Sequence, residues 1–409
     1  MSNLSSTAGR MPAQGTAYAI ILAVSFCHML NDIMQSLLAA IYPLLKEEFS
    51  LDYWQIGLLT LAFMVTASLL QPLVGIYTDK RPLPYSLTFG MGMSMIGLVL
   101  LAMAHSYWLL LLGASFIGIG SSIFHPESSR VARLASGGRF GLAQSLFQVG
   151  GNFGQALGPL LAAFIVVPLG QGSVGWFSLA ALLGMVILFQ VGTWYGNYRR
   201  DAAKRPVLPV SSTLARRKVV LALAVLAMLT FSKNIYMASI SSYYTFYVIE
   251  KFGVSVQVSQ YLLFVFLGAA ALGTVVGGPI GDKFGAKFVI WFSILGVLPF
   301  TLALPFANLP VTIALSFIIG LVLASAFPAI VVFAQELLPG RVGMVAGIFF
   351  GLAFGMGGIG AAVLGIVADV KGLDFVYWVC SLMPLLGLLT IFLPIMKELR
   401  EASVTNSLP

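Results

Sequence analysis

Charged side chains are scarce in this chain. Aspartate, glutamate, lysine and arginine together supply 9% of its 409 residues, whereas hydrophobic residues supply 59%. A soluble domain has about 25% charged residues, so the composition excludes a soluble globular protein. It indicates instead a chain that lies mostly within a lipid bilayer.

Cysteine is also rare, and positive charge is unevenly spread. The two cysteines, Cys27 and Cys380, both fall in apolar runs, which excludes a framework of disulfides. The net charge of +8 would suit a nucleic-acid partner, but most lysines and arginines lie in alternate loops between the apolar runs. That asymmetry is the positive-inside pattern of membrane proteins. It predicts cytoplasmic termini and gives no support for binding of nucleic acid.

The chain has long apolar runs in abundance. Runs of about 20 residues recur between short polar breaks, and this is the length that a helix needs to cross a bilayer. Lipid offers no partners for backbone amides, so each run is predicted to be helical. The twelve predicted spans of this all-α membrane protein are 17–44, 56–78, 85–104, 107–132, 141–169, 175–195, 218–249, 257–281, 286–307, 310–335, 341–368 and 374–396.

The second half of the chain repeats the first. Residues 75–84, GIYTDKRPLP, correspond to residues 278–287, GPIGDKFGAK, so that Asp79 and Asp282 are 203 positions apart. A second pair of segments, GGRFG and PGRVG, has an offset of 202. These offsets predict two six-helix bundles related by a pseudo-two-fold axis along the membrane normal. The predicted divisions are an N-terminal bundle at 1–195, a basic cytoplasmic linker at 196–217 and a C-terminal bundle at 218–409.

The GDKFGAK segment resembles the loop signature of the major facilitator superfamily of transporters. The resemblance implies that Asp282 belongs to a gate, where it pairs with a helix N-terminus or a cation when the cytoplasmic side is closed. The first copy has Pro82 in place of a glycine, so the second copy is the better guide. Simple topology charges are the alternative. The predicted gate residues are Asp79, Asp282, Lys283, Gly285 and Lys287, with Glu336 in the partner region of Asp282.

Polar side chains lie at membrane depth in the first span. His28, Asn31, Asp32 and Gln35 are spaced i, i+3, i+4 and i+7, which places them on one face of a helix. A carboxylate near the bilayer centre is costly, so Asp32 is expected to face water, a partner or a proton path. The alternative is a structural cluster that ties helices together. Asp32 with His28 is the predicted proton-coupling site.

A lysine lies equally deep in the seventh span. The repeat offset places Lys233 at the depth of the first-span cluster, across a predicted central cavity. Its ammonium needs an interaction that offsets a cost of about 2.5–3.5 kcal/mol. Two partners for this interaction remain open: the carboxylate of Asp32 or the anionic group of a substrate. Tyr236 and Tyr243 continue the same face, whereas Tyr247, near the outer end, is expected to be an interfacial belt residue.

The fourth and fifth spans add charges and amides. Pro126 is predicted to interrupt the fourth span. Glu127 is close enough to pair with Arg130, which is either a cavity cation or an inner-gate residue, and Arg133 is expected at the cytoplasmic surface. The predicted sets are Asp32, His28, Glu127 and His125 for proton coupling, and Lys233, Arg130, Asn31, Gln35, Gln148, Asn152, Tyr236 and Tyr243 for substrate binding.

Glycines follow the amides of the fifth span. Gly154-x-x-x-Gly158-Pro159 resembles the fifth-helix signature of proton-coupled antiporters. Close helix packing alone is the alternative explanation for these small residues.

From about residue 17 to about 396 the chain resembles a drug-efflux branch of the major facilitator superfamily. The resemblance implies a bacterial inner-membrane exporter of an anionic phosphonate drug, driven by protons. We expect it to act as a monomer without cofactor or metal. A phosphonate favours lysine or arginine at its site. One alternative is proton-coupled uptake of a small anionic metabolite. Another is a membrane-embedded enzyme or receptor, although no nucleophile–base or metal-ligand cluster stands out in the sequence.

Overall fold

The computed structural model describes residues 15–203 and 215–394. The predicted linker at 196–217 lies partly outside these ranges and stays a prediction. Some basic residues used to predict topology also lie outside the described residues: Arg10, Lys204, Arg205, Lys397 and Arg400.

Twelve long helices make up most of the described part of the chain. A short helix, Tyr42–Glu48, lies between the first two. The long helices are α1 Tyr18–Ala40, α2 Gln55–Lys80, α3 Ser86–Ala102, α4 Tyr107–Ala135, α5 Phe140–Leu169, α6 Gln171–Ala202, α7 Arg216–Phe252, α8 Val256–Phe284, α9 Ala286–Phe306, α10 Leu309–Leu337, α11 Val342–Lys371 and α12 Leu373–Phe392.

These helices are long enough to cross a membrane. Within the described ranges, eleven contain a span of at least 18 residues with sufficient hydropathy. The twelfth, α3, has 17 residues and is about 26 Å long, close to the ~30 Å thickness of the hydrocarbon core. The twelve predicted spans are therefore confirmed as helices. The predicted interruption at Pro126 is wrong, because this buried proline lies inside an unbroken α4, as proline can where neighbouring helices surround it.

The helices form two bundles of six. In the first bundle α1 packs against α5 and α3 against α4, and in the second α7 packs against α11 and α8 against α10. The bundles meet along two seams, α2 with α11 and α5 with α8. The repeat seen in the sequence is thus a repeat of packing, in which each bundle supplies one helix to each seam.

In each seam the two helices come into close contact at the same end of the molecule. We call this the basic end. It is the end at which α2 connects to α3 and α8 connects to α9. A Cβ atom on Gly75 would lie 2.2 Å from the carbonyl oxygen of Gly343, and one on Gly141 would lie 2.5 Å from that of Gly278. Distances this short exclude a side chain, so glycine allows the backbones to approach. The two contacts are equivalent under the repeat.

Candidate functional site

His28 and Asp32 face each other one turn apart on α1. His28 Nδ1 lies 2.8 Å from the carbonyl oxygen of Phe147 on α5, so this nitrogen carries the proton that the carbonyl accepts. The other ring nitrogen, Nε2, points at Asp32 and lies 3.6 Å from its Oδ1. Both side chains are buried. The backbone of α5 thus fixes the orientation of the imidazole toward the carboxylate.

A second imidazole reaches the same carboxylate from α4. His125 Nδ1 lies 3.0 Å from the carbonyl oxygen of Ser121, one turn earlier, and its Nε2 lies 3.6 Å from Asp32 Oδ1. The His125 side chain is fully buried. We call His28, Asp32 and His125 the triad. The structure therefore brings together three of the four residues predicted for proton coupling.

Three amide side chains hold the Asp32 carboxylate. Its Oδ1 accepts hydrogen bonds from Asn31 Nδ2 at 3.2 Å and Gln35 Nε2 at 3.0 Å, and its Oδ2 accepts one from Gln155 Nε2 at 3.0 Å. Gln35 in turn accepts a hydrogen bond from the Ser121 hydroxyl at 3.0 Å. Asn31 and Gln35 were predicted to bind substrate and here hold the carboxylate of Asp32, whereas Gln155 and Ser121 were not among the predicted site residues. The signal for Gln155 was its near-helical spacing from Gln148 and Asn152 along the fifth span.

Glycines on α5 make room for the triad. A Cβ on Gly151 would lie 2.4 Å from His28 Cε1 and 2.9 Å from Asp32 Oδ2. One on Gly154 would lie 2.3 Å from the carbonyl oxygen of Met29. The glycines of the fifth span therefore bring α5 against α1 at the depth of the charged site, so close packing and the site depend on the same residues.

An aromatic layer separates the triad from the lysine of the second bundle. The ring of His125 lies 5.2 Å from that of Phe350 and 5.1 Å from that of Phe354, both on α11. Phe350 contacts Phe327 of α10 at 5.1 Å between centroids. Lys233 Nζ lies 5.1 Å from the centre of the Phe327 ring. The layer joins groups of opposite charge in the two bundles through apolar contacts.

Lys233 is not paired with Asp32 in this structure. The carboxylate has the histidine and amide partners described above, and Lys233 makes a cation–π contact with Phe327. Within residues 15–203 and 215–394, Lys233 forms no ion pair. Of the two partners left open for Lys233, the carboxylate of Asp32 is not in contact with it in this conformation, because α1 and α7 hold the two groups on opposite sides of the aromatic layer.

The predicted amides on α5 lie on the seam with α8. Asn152 Nδ2 donates to Thr274 Oγ1 at 3.2 Å, across the two bundles, and Gln148 Nε2 donates to Asn152 Oδ1 at 3.4 Å. Thr274 was missed, since a threonine in an apolar helix gives no sequence signal. Asn152 is thus a polar contact between the bundles as well as a candidate for substrate binding.

Three of the four tyrosines of α7 were named in the sequence analysis, and their surroundings differ. Tyr236 is buried, and its hydroxyl has no hydrogen-bond partner within the described ranges. Tyr243 donates to the carbonyl oxygen of Ala361 on α11 at 2.5 Å. Tyr247 is 1% exposed, stacks on Tyr377 and accepts a hydrogen bond from Lys251 Nζ at 2.8 Å. The expectation that Tyr247 is an interfacial belt residue is wrong, because α12 covers it.

Two aspartates close the basic end in the same way. Asp79 of α2 accepts hydrogen bonds from the backbone N–H groups of Gly343 at 2.9 Å and Met344 at 2.8 Å, at the start of α11. Asp282 of α8 accepts them from Gly141 at 2.8 Å and Leu142 at 2.9 Å, at the start of α5. Helix N-termini attract carboxylates. We call these contacts the Asp79 latch and the Asp282 latch.

The latches correct two expectations about the gate. The first copy of the loop makes the same contact as the second, although Pro82 departs from the signature. Asp282 accepts its hydrogen bonds from the start of α5, whereas the end of α10 around Glu336 was the expected partner region. The other gate residues lie nearby: Lys283 over the ring of Phe284, Gly285 with φ +91° between α8 and α9, and Lys287 donating to the carbonyl of Leu393.

Arg130 holds the carboxylate of the Asp79 latch from within the first bundle. Its Nη2 lies 2.6 Å from Asp79 Oδ1, its Nη1 lies 3.1 Å from Glu127 Oε1, and it also donates to the carbonyl oxygen of Thr78 at 2.7 Å. Ser86 donates to Glu127 at 3.2 Å. The structure thus places Arg130 and Glu127 in the closure of the basic end, away from the triad and from Lys233.

A third contact between the bundles joins α4 to α10. Gln335 Nε2 donates to Ser129 Oγ at 3.0 Å, and Arg133 Nη1 lies 3.3 Å from Gln335 Oε1. Arg133 also lies over the ring of Phe140, 4.0 Å from its centre. The residue expected to be a surface topology charge is therefore part of the closure. Sequence alone did not indicate Gln335 or Ser129.

The arrangement can close one end of the molecule while it keeps a charged site in the middle. Two bundles, two equivalent latches and a buried carboxylate with an opposing lysine define a membrane transporter. The sequence matches the profile of the Major Facilitator Superfamily over residues 24–255 and again over 226–407. The chain belongs to this superfamily.

The relatives are transporters or resistance proteins of similar length. The fosmidomycin resistance protein of Escherichia coli (strain K12) is 61% identical over 93% of this chain and 93% of its own length. An uncharacterized transporter of the same superfamily from Bacillus subtilis (strain 168) is 43% identical over 94% of this chain and 95% of its own. The structure of a human organic anion transporter is similar with a TM-score of 0.73, 17% identity and coverage of 93% of this chain and 100% of that one.

Proposed function

We propose that this chain exports fosmidomycin and related anionic compounds by alternating access, in exchange for protons. One observation carries the proposal: the molecule holds a buried carboxylate with two imidazoles in one bundle and a lysine without an ion-pair partner, among the described residues, in the other. The likeness to the fosmidomycin resistance protein supports the choice of drug.

Lys233 is the proposed site for the anionic group of the substrate. Its Nζ lies over Phe327 and forms no ion pair within the described ranges, so a phosphonate oxygen can supply the charge-assisted contact that it lacks. Arg130, the other predicted cation, already has Asp79 and Glu127. Gln148, Asn152 and Tyr236 are proposed to supply uncharged polar contacts around the substrate.

The triad is the proposed coupling site. A proton taken up there would lower the cost of the buried Asp32 charge. Phe350 and Phe354 of α11 contact His125, so movement of the second bundle relative to the first would change which side of the membrane can deliver a proton. The aromatic layer is therefore proposed to couple proton exchange at the triad to substrate binding at Lys233.

The closed basic end is proposed to face the cytoplasm of a bacterial cell. The distribution of lysine and arginine supports this orientation. In the proposed cycle the two latches open to admit the drug from the cytoplasm and close before it leaves on the other side. The proposed transporter acts as a monomer and uses protons rather than a cofactor.

The test is transport by the purified protein in liposomes with an imposed pH gradient and labelled fosmidomycin. We expect the drug to move against the direction of the proton gradient. Asp32→Asn should bind the drug but lose the transport that the gradient drives. Asp369→Asn, at an exposed carboxylate at the other end of α11, is the matched control. If Asp32→Asn exchanged drug for protons as well as the wild type, Asp32 would not be the coupling residue. If the drug moved in the same direction as the protons, the protein would be an uptake transporter instead.

A further inference from the structure

The triad has the composition of a metal site. Two imidazole nitrogens and one carboxylate oxygen lie within 4.8 Å of one another, and all three side chains are buried. The three residues were predicted for proton coupling, but a metal site was not expected, because His125 is far from Asp32 along the chain and reaches it only when α4 packs against α1. Both Nε2 atoms are 3.6 Å from the same oxygen, Asp32 Oδ1.

The hydrogen bonds of the two imidazoles fix which nitrogens face the carboxylate. In each ring Nδ1 lies against a backbone carbonyl oxygen, of Phe147 for His28 and of Ser121 for His125. A carbonyl only accepts hydrogen bonds, so Nδ1 carries the hydrogen in each neutral ring. Each Nε2 therefore presents a lone pair toward Asp32. Histidines that bind metals have this arrangement, with the other nitrogen donating to a carbonyl.

The contacts within the triad lack a positive group. A separation of 3.6 Å is longer than a hydrogen bond, and His125 Nε2 is buried without a hydrogen-bond partner. Two lone pairs and a carboxylate thus converge on one space. Asn31 and Gln35 donate to Oδ1, the oxygen that both imidazoles face, and Gln155 donates to Oδ2. A cation at the triad therefore has to share Oδ1 with these two amides or displace them. A cation between the three groups would satisfy all of them.

We infer that His28, Asp32 and His125 bind a divalent transition-metal ion of the Zn²⁺ type. Neutral imidazole and carboxylate are its usual ligands, at about 2.0–2.2 Å from the ion. Tetrahedral ligands at that distance lie about 3.3 Å apart, so the two 3.6 Å separations need to shorten by only a few tenths of an ångström. Three protein ligands leave one position for water or another small ligand.

An entry route is provided by Gln155. This residue is exposed, and its amide donates to Asp32 Oδ2, so one side-chain rotation opens the carboxylate to the surroundings. A bound metal ion would hold the charge of the triad constant and so stop transport. That inhibition rests on the proposed function, whereas binding of the metal depends only on the three side chains.

The test is titration of the full chain, purified with a tag that contains no histidine, with ZnCl₂ in a calorimeter. We expect one Zn²⁺ per chain and an affinity at least about tenfold lower in His125→Gln. The chain has three histidines, and the third, the exposed His105 in the loop before α4, gives the matched control His105→Gln. Equal affinities of wild type and His125→Gln, or an equal loss in His105→Gln, would overturn the inference.

A spectrum of the wild-type protein tests the same point without a variant that has to fold. Co²⁺ bound by two imidazoles and a carboxylate absorbs visible light more strongly than Co²⁺ in water. We expect such bands when CoCl₂ is added, and their loss when excess ZnCl₂ follows. A spectrum identical to that of CoCl₂ in buffer would contradict a site at the triad. Zinc binding without inhibition of transport would retain the site and count against the proposed coupling role.

Discussion

Among single residues, Lys233 is the least easily explained by structure alone. An ammonium in a membrane-spanning helix costs about 2.5–3.5 kcal/mol on the insertion scale, and its observed contact is the ring of Phe327. A cation–π contact recovers about 0.5–2 kcal/mol. The part of this cost that the Phe327 contact does not offset favours binding of an anionic ligand. A negatively charged substrate is therefore the expected partner of Lys233.

Replacement of Lys233 tests this directly. We expect Lys233→Gln to weaken binding of fosmidomycin at least tenfold, about 1.4 kcal/mol, the lower range for a hydrogen bond to a charged group. Lys218→Gln, at an exposed lysine near the start of the same helix, is the control. Direct binding to purified protein is the measurement, with folding checked by thermal melting. Unchanged binding in a folded Lys233→Gln would move the substrate site elsewhere.

The residues that sequence could and could not predict differ in one respect. His28 and Asp32 are neighbours on one helical face, so their spacing alone predicted their contact. His125 was predicted for proton coupling, but its contact with Asp32 depends on how α4 packs against α1. Thr274 and Gln335 were not predicted, because their contacts depend on how the two bundles pack. Arg130 was left open between two roles because its partner, Asp79, lies on another helix.

Among helices, the contact of α1 with α5 carries both stability and the site. Gly151 and Gly154 lie where any Cβ would meet α1, whereas Gly355 of α11 has open space around its Cβ position. The spans themselves were predictable, since their length and hydropathy are local properties. Which glycines are indispensable was not, since that depends on the partner helix.

A pair of alanine substitutions separates these two kinds of glycine. Gly151→Ala should destabilise the protein by about 1–3 kcal/mol, the usual cost of overpacking, and should displace His28. Gly355→Ala should leave stability unchanged or raise it by about 0.5–1 kcal/mol, since alanine favours a helix over glycine. Thermal melting in detergent measures both. Equal melting temperatures for the two variants would contradict the packing described here.

For the whole molecule, the two latches determine which end is closed. Each is a carboxylate that accepts two backbone hydrogen bonds from a helix of the other bundle. The repeat offset that was visible in the sequence predicted the pair of aspartates, but not that each would bind the opposite bundle. These contacts form only when both bundles have folded and packed against each other.

Neutralising either aspartate should favour opening of the basic end. Hydrogen bonds to charged groups contribute about 1.5–3 kcal/mol, so Asp282→Asn should slow drug transport more than it weakens drug binding. Asp79→Asn should have the larger effect, because it also removes the partner of Arg130. Labelling of cysteines introduced at the basic end reports the opening, and Asp369→Asn again serves as the control. Equal labelling of all three variants and wild type would contradict the latches.

The difference between the latches gives the molecule a preferred direction of opening. Arg130 supports the Asp79 latch, but the equivalent position in the second half, 202 residues later, is Val332, which carries no charge. The seam between α2 and α11 is therefore held more firmly than the seam between α5 and α8. The bundles should swing apart first along α5 and α8 while α2 and α11 stay together. A solute from that side would then enter past Asn152 and Thr274, and the pseudo-symmetry of the fold would become a one-sided entrance.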